Sequence, residues 1–159
     1  MRGPLSLTTI AARPDLAPIV ARWIWEEWGR PKGRLIERTE ARVASRTAQL
    51  GLEQCFVVLE GDTPAGTASF VAEDSDSRPD LSPWLASVFV DPAFRGRGHA
   101  RVLVTAVESA ARSAGVPTLW LFTETAAPLY ASLGWQAAGA IVEQGRPQQL
   151  MRRDLGQAP

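Results

Sequence analysis

The stretch Val90-Asp91-Pro92-Ala93-Phe94-Arg95-Gly96-Arg97-Gly98-His99-Ala100 decides how the rest of the chain is read. On its N-terminal side, Trp84 to Val90 is apolar, rich in Val and aromatic residues, and stopped by Asp91-Pro92, which predicts a strand. On its C-terminal side Val102, Leu103, Ala106, Val107, Ala110 and Ala111 recur at helical spacing up to Gly115, which predicts a long helix. A strand that turns through closely spaced glycines into a helix is suited to an anion. The first helical N–H groups lack intrahelical partners, the macrodipole is positive at that end, and glycine lets the backbone adopt φ > 0 and approach closely. Two nucleotide motifs fail on their defining residues. A dinucleotide fingerprint needs a third glycine and an acid about 20 residues later; Arg101 stands at the third glycine position, and residues 114–120 hold no Asp or Glu. A P-loop needs Gly-Lys-Ser/Thr, but the only lysine, Lys32, is followed by Gly33.

Outward from this turn the chain alternates apolar patterns with breakers. Leu5, Leu7 and Ile10 predict a short strand, and Leu16, Ile19, Val20, Trp23 and Glu27 a helix from Pro14 to about Gly29. Arg30 to Gly33 reads as a loop, and Leu35 to Leu50 as a second helix stopped by Gly51. Cys55 to Leu59 and Ala65 to Ala72 predict an antiparallel hairpin around Glu60 to Pro64, and the polar, proline-containing run Glu73 to Pro83 an exposed loop. Downstream come a strand at Thr118 to Thr123, a short helix at Ala126 to Leu133, and closing strands at Trp135 to Val142 and Gln148 to Leu155. The order β-α-α-β-β-β-α-β-α-β-β predicts one α/β domain over residues 1–159, a mixed sheet with helices on both faces.

Composition excludes several functions. Seventeen basic residues balance seventeen acidic ones, which argues against a nucleic-acid binder, whose phosphate contacts need a cationic excess. Arg95, Arg97 and Arg101 lack the interleaved aromatic platform an RNA site would use. With Cys55 the only cysteine and His99 the only histidine, there is no disulfide within the chain, no Cys-rich zinc site and no His–His metal pair. No apolar run approaches the roughly 20 residues of a membrane span, and Met1 to Ile10 lacks the apolar core of a secretory signal. The expectation is a soluble, cytoplasmic protein without a metal and without membrane or nucleic-acid partners, a monomer or homodimer.

Two blocks carry a family resemblance. Arg95-x-x-Gly98-x-Ala100, following the strand end Val88-Phe89-Val90-Asp91-Pro92, resembles the Gln/Arg-x-x-Gly-x-Gly/Ala acetyl-CoA motif of the GNAT superfamily of N-acetyltransferases. Ala126-Ala127-Pro128-Leu129-Tyr130-Ala131-Ser132-Leu133-Gly134-Trp135 is similar to that family's A-x-x-L-Y-x-x-x-G-aromatic segment. The blocks fall in the family's order, and the predicted elements match over essentially the whole chain, which implies a mostly antiparallel central sheet.

The resemblance implies roles for particular residues. The loop Arg95, Gly96, Arg97, Gly98, His99, Ala100 and Arg101 would hold the pyrophosphate of acetyl-CoA through its amides, with His99 at a variable position and read as a packing residue. Main-chain groups of Val88, Phe89 and Val90 would pair with the pantetheine arm as with an added strand, as an amide-bearing ligand can. Tyr130 matches the tyrosine that protonates the departing thiolate, a task suited to a phenol with a pKa of about 10. Thr123 stands where Asn is common, and the strand Trp84 to Val90 lacks the glutamate many members use as general base. Candidates for that base are Glu26, Glu27, Asp80 or a water. Trp23, Trp25 and Trp28 cannot all face one core, so some are expected to line a pocket, and Arg30, Lys32 and Arg34 would border the acceptor. Cys55 lies in an apolar strand and makes a poor nucleophile. The function this implies is acetyl transfer from acetyl-CoA to a primary amine, small-molecule or peptide, by direct attack. The alternative is a non-catalytic acyl-CoA-binding or regulatory domain.

Overall fold

A computed structural model describes residues 3–156. Seven strands form one sheet in the order β1-β2-β3-β4-β5-β7-β6, with β1 (Leu5–Thr9), β2 (Gln54–Glu60), β3 (Thr63–Val71), β4 (Trp84–Val90), β5 (Thr118–Thr123), β6 (Gln136–Glu143) and β7 (Arg146–Asp154). Every neighbouring pair is antiparallel except β4 and β5, which run parallel. β2 and β3 are buried along most of their length because helices cover both of their faces. On one face α3 (His99–Ser113) and α4 (Ala127–Ser132) pack Leu103, Val107 and Tyr130 against Phe70, Leu85 and Leu121. On the other, α1 (Ala17–Ile24) and α2 (Ile36–Ala44) bury Val20, Ile24 and Val43 against Cys55 and Val57. The element order and mixed sheet agree with the prediction.

Three local departures matter for the site. The first helical span is α1 followed by a π-helical turn at Trp25–Gly29 and a 3₁₀ turn at Arg30–Lys32; such π turns inside helices are frequent at functional sites. The second helix ends at Ala44, not near Leu50. The Ser45 hydroxyl donates to the Arg42 carbonyl at 2.6 Å, Arg46 turns into the protein, and Thr47 bridges to Gln54. The loop Glu73 to Pro83 is not simply exposed. Glu143 on β6 accepts from the hydroxyls of Ser75 and Ser77 and from the backbone N–H groups of Asp76 and Ser77, which straps the loop to the β6–β7 hairpin and leaves Ser75 buried.

Candidate functional site

β4 and β5 meet through a single residue pair, Trp84 with Trp120. Beyond it β4 stays paired with β3 while its other edge leaves β5, so the two parallel strands open into a cleft. The departure coincides with a β-bulge. Ala86 pairs with Ser69 and Phe89 with Thr67, so Ser87 and Val88 together oppose Ala68. Ser87 takes φ 55°, an uncommon conformation for a residue with a Cβ. Bulges re-aim a strand and end its pairing, and here the end of β4 no longer pairs with β5.

A residue absent from the sequence-based candidates holds the bulge. Arg46 is buried, and its Nη1 donates to Ser69 Oγ and to Ser87 Oγ, 3.1 Å in each case. Burial pulls its guanidinium below the usual range, and Asp74 opposes that pull. Its partners lie 23 and 41 residues away, so no local pattern marks it.

At the open end of the cleft the turn has the form an anion needs. Asp91 Oδ1 accepts from the Ala93 N–H at 2.9 Å and starts a 3₁₀ turn, Pro92–Phe94. Gly96 and Gly98 have φ 78° and 82°, and a Cβ built on either meets nothing within 4 Å. Gly98 caps α3, and the Val102 N–H donates to its carbonyl at 3.3 Å, leaving the preceding amides at the helix start without intrahelical acceptors. The side chains of the loop turn elsewhere. Arg95 Nε donates to the Val90 carbonyl at 2.9 Å, and its guanidinium lies 5.7 Å from the Phe89 ring centroid. Arg97 pairs with Glu60 at 2.6 Å. His99 is buried edge-on to Phe94, with Nε2 3.6 Å from Glu60 and neither ring nitrogen hydrogen-bonded, which is a packing position.

Val88 and Val90 pack toward α3, whereas Phe89 faces α1, 5.8 Å from Trp23 and 6.4 Å from Trp28. Phe89 and Trp23 line a groove of about 640 Å³ with Ile19, Glu26, Glu27 and Arg95. Trp25 has a different role, its Nε1 donating to the Arg34 carbonyl at 2.7 Å. Burial, Arg34 and Arg146 pull Lys32 below its usual value, while Glu124 and Glu143 oppose them.

Tyr130 is buried on α4 with its ring edge-on to Trp135, and burial pushes its phenol up to about 12. Thr123 Oγ1 accepts from the Ala126 N–H at 3.0 Å and so shapes the approach to α4. Of the base candidates, Glu26 pairs with Arg22 at 3.1 Å, and Asp80 is 61% exposed and held below the usual carboxylate range by Arg78. Glu27 is exposed on the groove wall. Cys55 is fully buried, its thiol pushed up by burial. Among the described residues no helix is long and apolar enough to cross a membrane, and no cluster of His, Cys, Asp or Glu has the makings of a metal site.

Residues 17–135 match the Acetyltransferase (GNAT) family. A search of the curated proteins finds no match. Solved structures share the fold at low identity. An aminoglycoside 6'-N-acetyltransferase complexed with coenzyme A superposes with a TM-score of 0.76 at 14% identity, covering 97% of this chain and 99% of that one. The ribosomal-protein-S18-alanine N-acetyltransferase from Escherichia coli gives 0.66 at 21% identity, covering 98% and 97%. N-acetylglutamate synthase from Neisseria gonorrhoeae, complexed with coenzyme A and N-acetyl-glutamate, gives 0.68 at 17%, covering 99% of this chain and 36% of that one.

Proposed function

The chain belongs to the acetyltransferase (GNAT) family, and from that premise we propose that it transfers the acetyl group of acetyl-CoA to a primary amine by direct attack. The observation that carries this reading is the parting of β4 from β5 after one paired residue, with the glycine turn at the open end. The free amides from Gly96 to Arg101 would take the pyrophosphate, through the backbone, since the Arg95, Arg97 and His99 side chains are engaged elsewhere. The edge of Val88, Phe89 and Val90 left by β5 would pair with the amides of the pantetheine arm, which would replace Arg95 Nε on the Val90 carbonyl. The acceptor would come from the α1/α2 face. Its nitrogen attacks the thioester carbonyl carbon, the C–N bond forms, the C–S bond breaks, and the sulfur leaves as thiolate.

Tyr130 is the proposed donor to that sulfur. Pushed up to about 12, its phenol keeps its proton throughout the neutral range. It is also a weak acid: against a thiol of pKa about 8.5, complete transfer would cost on the order of 5 kcal/mol. The phenol therefore acts chiefly as a hydrogen bond that strengthens as charge reaches the sulfur. Buried Cys55 fits no acyl-enzyme step.

The test is thiol release from acetyl-CoA across a panel of amines, together with the cofactor dissociation constant. Tyr130→Phe keeps the ring and loses the proton, so turnover should fall about 10²-fold, the worth of a hydrogen bond to a charged group, with binding unchanged. Near-wild-type turnover in the variant under chemistry-limited conditions would remove Tyr130 from the reaction. Tight acetyl-CoA binding with no turnover on any amine would favour the non-catalytic reading.

A further inference from the structure

The strap between β3 and β4 carries a carboxylate that the acetyl-donor half of the site leaves unused. Asp74 is half-buried and lines a pocket of about 430 Å³ with Arg46, Glu53, Leu81 and Trp84. Three observations set this pocket against the inner end of the cleft. Trp84 is the residue of β4 that still pairs with β5, so the pocket lies where the strands part. Arg46, on its wall, is the side chain that reaches Ser87 in the bulge at 3.1 Å. Residues at the end of α2 line it as well, so it opens on the α1/α2 face, opposite α3 and α4. The segment that carries it is also held in place: the next three residues, Ser75, Asp76 and Ser77, are the ones clasped by Glu143. Asp15, Asp80 and Asp154 pair with nearby arginines, whereas among the described residues no hydrogen bond to the Asp74 carboxylate contributes to its titration.

We propose that Asp74 is the acceptor-side catalytic residue, docking a cationic primary amine and taking the proton its nitrogen sheds as the C–N bond forms. This rests on the acetyl-transfer reading above. The amine docks with its ammonium against Asp74, gives one proton to bulk water, and attacks as the free base. The nitrogen becomes cationic and acidic as it bonds to the acetyl carbon, and its proton passes to the carboxylate. The C–S bond breaks, the thiolate is protonated, and Asp74 returns its proton to water. Burial pushes Asp74 up to about 6; Arg46 and Arg42 from the α2 side pull against that, and Glu143 on β6 and Asp76 on the strap add to it. A base is most effective when its pKa lies near the working pH.

The experiment compares wild type with Asp74→Asn and Asp74→Glu. It measures thiol release on tobramycin, spermidine, an alanine-terminated peptide and L-glutamate from about pH 5 to about pH 9, and acetyl-CoA binding for each protein. Asp74→Asn should lower kcat/KM on the best amine by about 10²-fold or more and remove the inflection near pH 6, leaving only the rise set by the amine's own deprotonation, and Asp74→Glu should restore part of both. Acetyl-CoA affinity should stay within about twofold, since the donor site lies elsewhere. Turnover in Asp74→Asn within about threefold of wild type, with the inflection near pH 6 retained, overturns the proposal and leaves the acetyl-transfer reading standing. Loss of acetyl-CoA binding in the same variant overturns it in favour of a structural role. Absence of thiol release by wild type on every amine overturns both.

Discussion

At Gly98 the backbone holds φ 82° with open space where a Cβ would project. Those two facts separate strain from obstruction. An alanine there meets no neighbour and bears only the left-handed penalty, about 1–2 kcal/mol. A valine adds bulk to the volume that the pyrophosphate would occupy. Acetyl-CoA at 100 times its dissociation constant should stabilise the wild type by about 2.7 kcal/mol. The shift in melting temperature should survive in part in Gly98→Ala and vanish in Gly98→Val. A full shift in the valine variant would place the phosphates elsewhere. This glycine could be read in the sequence because its requirement is local, a reversal between a strand and a helix. Arg46 could not be read, because its meaning depends on Ser69 and Ser87, which only the folded sheet brings to it. Asp74 was hidden for the same reason: within its acidic loop it looks solvated, and only the docking of that loop half-buries it.

Among the elements, the strap between β3 and β4 is tied to the β6–β7 hairpin. Polar composition predicts an exposed loop there, and many of its residues are exposed. What composition cannot report is a partner 66 to 68 residues away in sequence, and Glu143 is such a partner. Burial pushes the Glu143 carboxyl up, but hydrogen bonds from Ser75 and Ser77 outweigh it and leave the group below its ordinary 4.5. A depressed acid stabilises the fold above its unfolded pKa and loses that contribution as pH falls through the folded value, so the clasp is closed at neutral pH. Glu143→Gln removes the charge and turns an amide donor toward groups that already donate. The amides of Asp76 and Ser77 should then exchange with solvent at least about tenfold faster, with little change at core amides. Unaltered exchange at those two amides would show that the strap is held by something other than Glu143. Strand order and helix count, by contrast, follow from apolar periodicity and the glycine and proline breaks. The early end of α2 and the bulge in β4 do not: Ser45 bonds back to the Arg42 carbonyl three residues earlier, and Arg46 reaches Ser87 41 residues away.

For the whole molecule, the same Asp74 carboxylate ties the proposed reaction to stability. The unfolded group titrates near 3.8 and the folded one near 6. Between those values the native state holds a proton that the unfolded chain has released, so stability falls as pH rises through that window. Above it the fold carries an ionised, half-buried carboxylate that Arg46 and Arg42 only partly compensate. Active sites commonly retain groups that cost stability because function needs them. Asp74→Asn removes the charge while keeping the shape, and should therefore be more stable than wild type at about pH 8 by roughly 1–2 kcal/mol, or several degrees in melting temperature. The difference should shrink as pH falls through 6 and be gone below 3.8, where wild type is protonated in both states. Thermal melts of the two proteins across that range measure it directly. A gap that stays constant with pH would mean that the substitution acts through packing alone, and a variant less stable at pH 8 would mean that the ionised carboxylate is needed to offset the charge of buried Arg46.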